Sequence, residues 1–314
     1  MSRYVRVTRF GGPEVLEVVD DTEPHAGSGQ VRVRVHFAGV NPVDRKIFAG
    51  GETAARWNAV PPYINGNDYA GVVDQVGAEV DGVRLGDAVF GGARHLAQAD
   101  YVVVDADTVL HKPGGLSMQQ AGALDIAGRA AIASVRTLRL STDDTVFVSA
   151  AAGGVGVLAV QLARLAGATV IGAAGLHNHD FLRSLGVIPV LYGEGMVERI
   201  RDAAPAGVTA ALDYHGVESI DAALELGVRP ERINTTAAKT YRPELGMHTV
   251  GGQVATPAEL ERLAGWIADG SVVLPIEAVY PLERVREAYQ HLAQGHLRGK
   301  LVLDLGAESE PTGS

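Results

Sequence analysis

The chain has 314 residues, 46% of them hydrophobic, and 27 Lys and Arg against 37 Asp and Glu give a formal net charge of -10. This length allows two compact domains with substantial cores, and the acidic balance argues against nucleic acid or an anionic membrane surface as a partner. There is no cysteine, so disulfides and thiolate-ligated zinc are excluded and catalysis must use other groups.

The opening MSRYVRVTRF lacks the apolar core of a signal peptide, which predicts a cytoplasmic protein. Short strands are expected at 4–7 and 31–37. In the second, Val31, Val33, Val35 and Phe37 alternate with Arg32, Arg34 and His36, the period of two of a sheet with one wet face. Segments 72–76 and 101–104 extend this antiparallel sheet, separated by turn signals such as Gly11-Gly12-Pro13, Asp81-Gly82 and Gly91-Gly92. From about Ala121 strand and helix alternate, with strands predicted at 145–149, 169–173, 188–191, 210–213 and 233–236, the pattern of a doubly wound parallel sheet. A helix beginning near Pro257, a strand at 271–274, a helix at 282–294 and a last strand at 300–305 follow, and the end of the chain is expected to return to the first domain. The small, polar tail GAESEPTGS is expected to be disordered. The apolar run 146–175 is interrupted by glycines, Gln161 and Arg164, and so fits a buried strand-helix-strand unit better than a membrane span.

Within that run, TVFVSAAAGGVG at 145–156 carries the chemistry. A short apolar strand enters a glycine turn in which Ala151, Gly153 and Gly156 occupy an A-x-G-x-x-G pattern around Gly154 and Val155. Val155, Leu158, Ala159, Leu162 and Leu165 then recur at helical spacing. Small residues let the backbone approach a pyrophosphate, and the amides and positive dipole end of the helix attract it. An NAD site usually places Asp or Glu about twenty residues later to hold the ribose hydroxyls. Here Ala173, Ala174 and Gly175 stand there instead, followed by Leu176, His177, Asn178 and His179. The first acid is Asp180, expected to cap the next helix. A small residue leaves room for a 2′-phosphate, with His177, Asn178 or Arg183 as donors, so NADP(H) is the predicted cofactor. The alternative is that the two histidines only cover a polar surface loop.

Five ordered motifs, GVNPVD at 39–44, GNDYAGVV at 66–73, GDAVFG at 86–91, AAAGGVG at 150–156 and RGKLVL at 298–303, extend the pattern over the chain. Together they resemble the zinc-independent quinone oxidoreductase and enoyl reductase branch of the medium-chain dehydrogenase/reductase superfamily, from Tyr4 to about Leu305. The resemblance implies an α/β protein in which residues 1–120 and 265–314 form a GroES-like, mainly antiparallel β substrate domain. Residues 121–264 form the Rossmann domain, a small-molecule substrate enters the cleft between them, and the protein is usually a homodimer. Zinc members of the superfamily carry a Cys ligand and the His of a G-H-E pattern. Here there is no Cys and Asn67 stands at the His position, so no metal is expected.

Without a metal, hydride passes directly from reduced nicotinamide to a quinone or an alkene conjugated to a carbonyl, whose oxygen needs a hydrogen-bond donor. By the resemblance, Asn41 lies beside the nicotinamide and Lys46 is the first candidate donor, followed by Tyr69 and Asp68. A solvated charge for Lys46 and simple packing for Tyr69 are the competing roles. Tyr192 is expected near the adenosine phosphate, Gly216, Thr235 and Thr236 on the nicotinamide side, and Lys300 of the last motif with the cofactor site. The chain departs from the family at 124–131, where LDIAGRAA replaces L-P-L-A-G-L-T-A. Ala130 thus replaces a Thr close to the nicotinamide, and Asp125 and Arg129 could pair four apart on a helix or reach a polar substrate. The usual R-P-G-G-R turn reads Arg229-Pro230-Glu231-Arg232, and the loop 237–252 is expected to border the substrate or a dimer interface. These departures suggest a specialised substrate. They leave open epoxide opening, reductive cyclisation or carbonyl reduction with the same cofactor, and a nucleotide-binding protein of low turnover.

Overall fold

In the computed structural model, which describes residues 1–306, the alternating valines lie within strand Gln30–Val40, with Val31, Val33 and Val35 turned inward and Arg34 outward. This strand is the centre of a seven-stranded sheet. On one side it pairs antiparallel with Asp68–Val76, followed by Ala88–Gly92 and Leu110–His111. Its other edge is shared: residues 30–34 pair with Tyr101–Asp105 and residues 37–40 with Lys300–Asp304 from the chain's far end. Ile276–Pro281 lies parallel to that last strand. A three-stranded sheet of Leu16–Asp21, Ser2–Val7 and Tyr63–Ile64 closes the domain, and its core includes Val5, Val33, Tyr69, Tyr289 and Leu301.

The five predicted strands of the second half form one parallel sheet, in the order Ile188–Leu191, Thr169–Ala174, Thr145–Val148, Ala210–Asp213 and Ile233–Thr235. Both faces are covered, as a parallel sheet requires. Helices Asp125–Leu138, Gly154–Leu165 and Pro257–Ala268 supply one core, and Met196–Ala203 with Val217–Glu225 supply the other. The expectation of a Rossmann sheet joined to a GroES-like antiparallel domain is met.

Three local expectations are corrected. Residues 271–274 are not a strand, although Val272 and Leu274 are buried. The Gln161 side chain takes the place of a neighbouring strand there: its Oε1 accepts from Val273 N at 2.8 Å and its Nε2 donates to Val273 O at 2.9 Å. The strand comes later, at Ile276–Pro281. Helix Pro257–Ala268 crosses the expected domain boundary at residue 264, and Leu260, Leu263, Ile267, Val272 and Leu274 pack into the parallel-sheet core. Asp180 does not cap a helix. Asn178 holds the cap position of His179–Ser184, and Asp180 pairs with Arg183 at 2.6 Å from inside the first turn. Of the tail GAESEPTGS only Gly306 is described, so the disorder expected for the rest lies outside the described residues.

Candidate active site

The glycine turn of 150–156 joins strand Thr145–Val148 to helix Gly154–Leu165, with Gly153 at the helix cap. Val157 N donates to Gly153 O at 2.8 Å and begins the helical ladder, so the N–H groups of Gly154, Val155 and Gly156 precede it and have no intrahelical acceptor. Only glycine fits at 156, because a Cβ there would overlap the Ala150 carbonyl. Ala151 is buried, its N–H donating to Ala173 O at 3.0 Å. Bare backbone, the amides of Val155 and Gly156 and a helix dipole together fit a dinucleotide pyrophosphate, while the Gly154 amide bridges to Gly299. The antiparallel domain touches this turn directly, since Gly299 N donates to Ala152 O at 2.7 Å and the Lys300 stem lies against Gly154.

Where the adenosine is expected, Gly175 follows strand Thr169–Ala174, and the next acid in sequence is Asp180. His177 and Asn178 are joined by two residues the sequence analysis did not single out, His296 and Arg298. Arg298 Nε donates to Asn178 Oδ1 at 2.9 Å and its Nη2 to His177 O at 3.0 Å. His177 Nε2 lies 3.0 Å from His296 O, and the Tyr192 hydroxyl lies 2.7 Å from His296 Nδ1 with the two rings stacked. Arg183, one of the expected donors, is engaged by Asp180, whereas among the described residues the Arg298 side chain has no carboxylate partner. Arg298 opens the RGKLVL motif, yet no local signal ties it to a loop 121 residues away.

Where the nicotinamide is expected, a buried polar chain links strand Asp68–Val76, Lys300 and Ile126. Asn41 Nδ2 donates to Asp68 Oδ2 at 2.9 Å, and its Oδ1 accepts from Lys300 Nζ. Asp68 also accepts from Ile126 N at 2.9 Å, and Lys300 Nζ lies 3.8 Å from its carboxylate. Asp44 accepts from Asn41 N at 2.9 Å, from Asn67 Nδ2 at 2.6 Å and from the Tyr289 hydroxyl at 3.0 Å. Burial pushes the Asp68 carboxyl up to about 7 against the pull of Lys300, raises Asp44 and Asp125, and lowers Lys300. Asp68 has no exposed surface, and its side chain bonds Asn41 and lies beside Lys300.

Tyr69, expected as the second donor, is a core residue. The alternation of strand Asp68–Val76 turns it to the opposite face from Asp68, into the antiparallel-sheet core, where burial raises its phenol. Lys46 is exposed on helix Pro42–Phe48, and its Nζ donates to Ala237 O at 3.2 Å, across the seam into the idiosyncratic loop. Asp213 organises the facing edge: it accepts from Thr235 Oγ1 at 2.7 Å, from Ser149 Oγ at 2.9 Å and from Gly216 N at 2.9 Å. Thr235 is therefore buried and structural, while Thr236 is only half-buried. Asp125 and Arg129 pair at 2.7 Å, and Arg129 also donates to Ala255 O at 2.9 Å, which settles their role as a helix-to-loop tie beside Ala130. Among the described residues no group of three or more His, Asp or Glu side chains is arranged to hold a metal, and no helix is long and apolar enough to cross a membrane.

Residues 27–114 match the alcohol dehydrogenase GroES-like domain family, and residues 187–303 match the zinc-binding dehydrogenase family. Over 328 residues the chain is 30% identical to the quinone oxidoreductase of Sus scrofa, with 95% of this chain and 96% of that one covered. Its fold is similar to that of the quinone oxidoreductase from Coxiella burnetii, at a TM-score of 0.87 and 30% identity over 97% of this chain and 99% of that one. It is also similar to an NAD-dependent alcohol dehydrogenase, at a TM-score of 0.84 and 26% identity over 97% of this chain and 100% of that one. The cradle at Gly153–Gly156 accounts for the nicotinamide dinucleotide common to such enzymes. The chain belongs to the quinone oxidoreductase and enoyl reductase branch of the medium-chain dehydrogenase/reductase superfamily, and is an oxidoreductase.

Proposed function

We propose that the protein is an NADPH-dependent reductase acting on a quinone or an α,β-unsaturated carbonyl without a metal. The observation that carries this reading is Lys46, a cation at the mouth of the seam with one N–H committed to Ala237 O. An ammonium has three donors, so two remain for an oxygen that gains negative charge during reduction. Bound at the cradle, the dinucleotide supplies the hydride. The chain's own residues supply the rest. The amides of Val155 and Gly156 hold the pyrophosphate, and His177, Asn178, Tyr192 and Arg298 surround the place for a 2′-phosphate. Asn41 is fixed at both ends of its amide by Asp68 and Lys300, so it presents one orientation beside the nicotinamide.

The test is NADPH consumption across a panel of quinones and enones, with product analysis, before and after exhaustive chelation. A saturated carbonyl compound or a hydroquinone, formed at the same rate after chelation, is the expected result. Activity that zinc alone restores, or an enone reduced at its carbonyl rather than its alkene, overturns it.

A further inference from the structure

The loop 237–252 places Lys239 two residues beyond the carbonyl that Lys46 holds. Lys239 is half-buried, and among the described residues it has no hydrogen-bond or ion-pair partner. The far end of the same loop wraps it, because a Cβ on Gly251 would stand 3.0 Å from its Nζ. Arg56, at the end of helix Gly51–Arg56, is paired with Glu52 at 2.5 Å. Burial lowers the proton affinity of Lys239, and the charges of Arg56 and Lys46 lower it further. Thus, in a chain with a net charge of -10, Lys46 and Lys239 meet at one loop from two domains, and among the described residues neither is paired to a carboxylate. An uncompensated cation held against its neighbours' repulsion is what an anion site looks like before its ligand arrives. The dinucleotide phosphates do not account for it. Their donors lie at Val155 and Gly156 and around Arg298, whereas Lys239 lies beyond Thr235 and Thr236, past the other end of the parallel sheet.

We propose that Lys239, beside the Lys46–Ala237 contact, forms a subsite for an anionic group, carboxylate or phosphate, carried by the substrate. The proposal rests on the reductase reading for the reaction but not for the binding, so the two can be tested apart.

In the binding arm, the protein saturated with NADP⁺ is titrated calorimetrically with glutarate and, separately, with inorganic pyrophosphate. At least one should bind, and Lys239→Gln should weaken it about tenfold while Lys239→Arg restores it. Glutarate alone assigns the group as a carboxylate, and pyrophosphate alone as a phosphate. Binding of neither to the parent, or equal binding to parent and Lys239→Gln, overturns the proposal whether or not any substrate is reduced. In the kinetic arm, an enone with a carboxylate tail is compared with its neutral amide. The parent should prefer the charged compound in kcat/KM, and Lys239→Gln should shrink that ratio about tenfold, through KM. An unchanged ratio in a variant of parental melting temperature also overturns it. Failure of both compounds to react, with glutarate or pyrophosphate still bound through Lys239, counts against the reductase reading alone.

Discussion

Lys300 Nζ lies 3.8 Å from Asp68 Oδ2, and this buried pair joins strand Lys300–Asp304 to strand Asp68–Val76. Asn41 sits between the two, bonded to both. An unpaired charge in so dry a place would be costly, so the pair and the asparagine hold each other in register. The orientation of the Asn41 amide is therefore set by Asp68 and Lys300.

Stability should depend on the Asp68 proton. Burial raises its folded-state pKa to about 7, above the ordinary carboxylate range. The folded state therefore holds a proton that the unfolded chain has released, and the resulting stability is full at low pH and lost as pH rises through 7. Between pH 5 and pH 8 the parent should lose more stability than Asp68→Asn, by on the order of 1–3 kcal/mol. Denaturant unfolding at the two pH values measures the difference. Asp44 and Asp125 are shifted the same way but remain in both proteins. Equal losses would show that Asp68 stays ionised throughout.

Gly156→Ala should damage the cradle. The new Cβ meets the Ala150 carbonyl, which belongs to the turn itself and cannot rotate away. Forced shifts of this kind cost about 1–3 kcal/mol, and moving the amides should weaken NADPH by about tenfold or more. Calorimetry and a melting curve read both effects. Parental affinity in Gly156→Ala would mean that the phosphates bind elsewhere.

Cofactor choice should follow Arg298 and Gly175. Arg298→Ala should lower NADPH affinity about tenfold and leave NADH nearly unchanged, because only the phosphate needs the charge. Gly175→Asp should reverse the preference by repelling the phosphate and offering an acceptor to the ribose. A Cβ at 175 stands 2.9 Å from His177 Cε1, a side chain that can turn aside. Better NADH than NADPH binding by the parent would sink the assignment.

Turnover should depend on Lys46 more than on His177. Loss of a donor to the developing oxygen typically costs about 10²-fold or more in kcat when nothing replaces it. Lys46→Met should show that loss with NADPH affinity intact, whereas His177→Ala should mainly weaken NADPH. Parental kcat in Lys46→Met, on the best substrate found, would pass the donor role to water, because Tyr69 is in the core.

The strand-turn-helix at 145–165 and the five parallel strands were legible in the sequence, because hydrophobic period, glycine spacing and helix capping act over a few residues. The motif order was equally legible, and so was the absence of an acid at Gly175. What tertiary structure decided is where sequence-distant segments meet. Gln161 satisfies the backbone of Val273 from 112 residues away, so an apolar run that reads as a strand forms none. The sheet, not the residue type, turned Tyr69 to the core and its neighbour Asp68 to the seam. His296 and Arg298 meet Tyr192 and Asn178, and Lys46 meets the loop that carries Lys239, only in the folded chain. Charge pairing and burial depend on distance through space, and a one-dimensional pattern records distance along the chain alone.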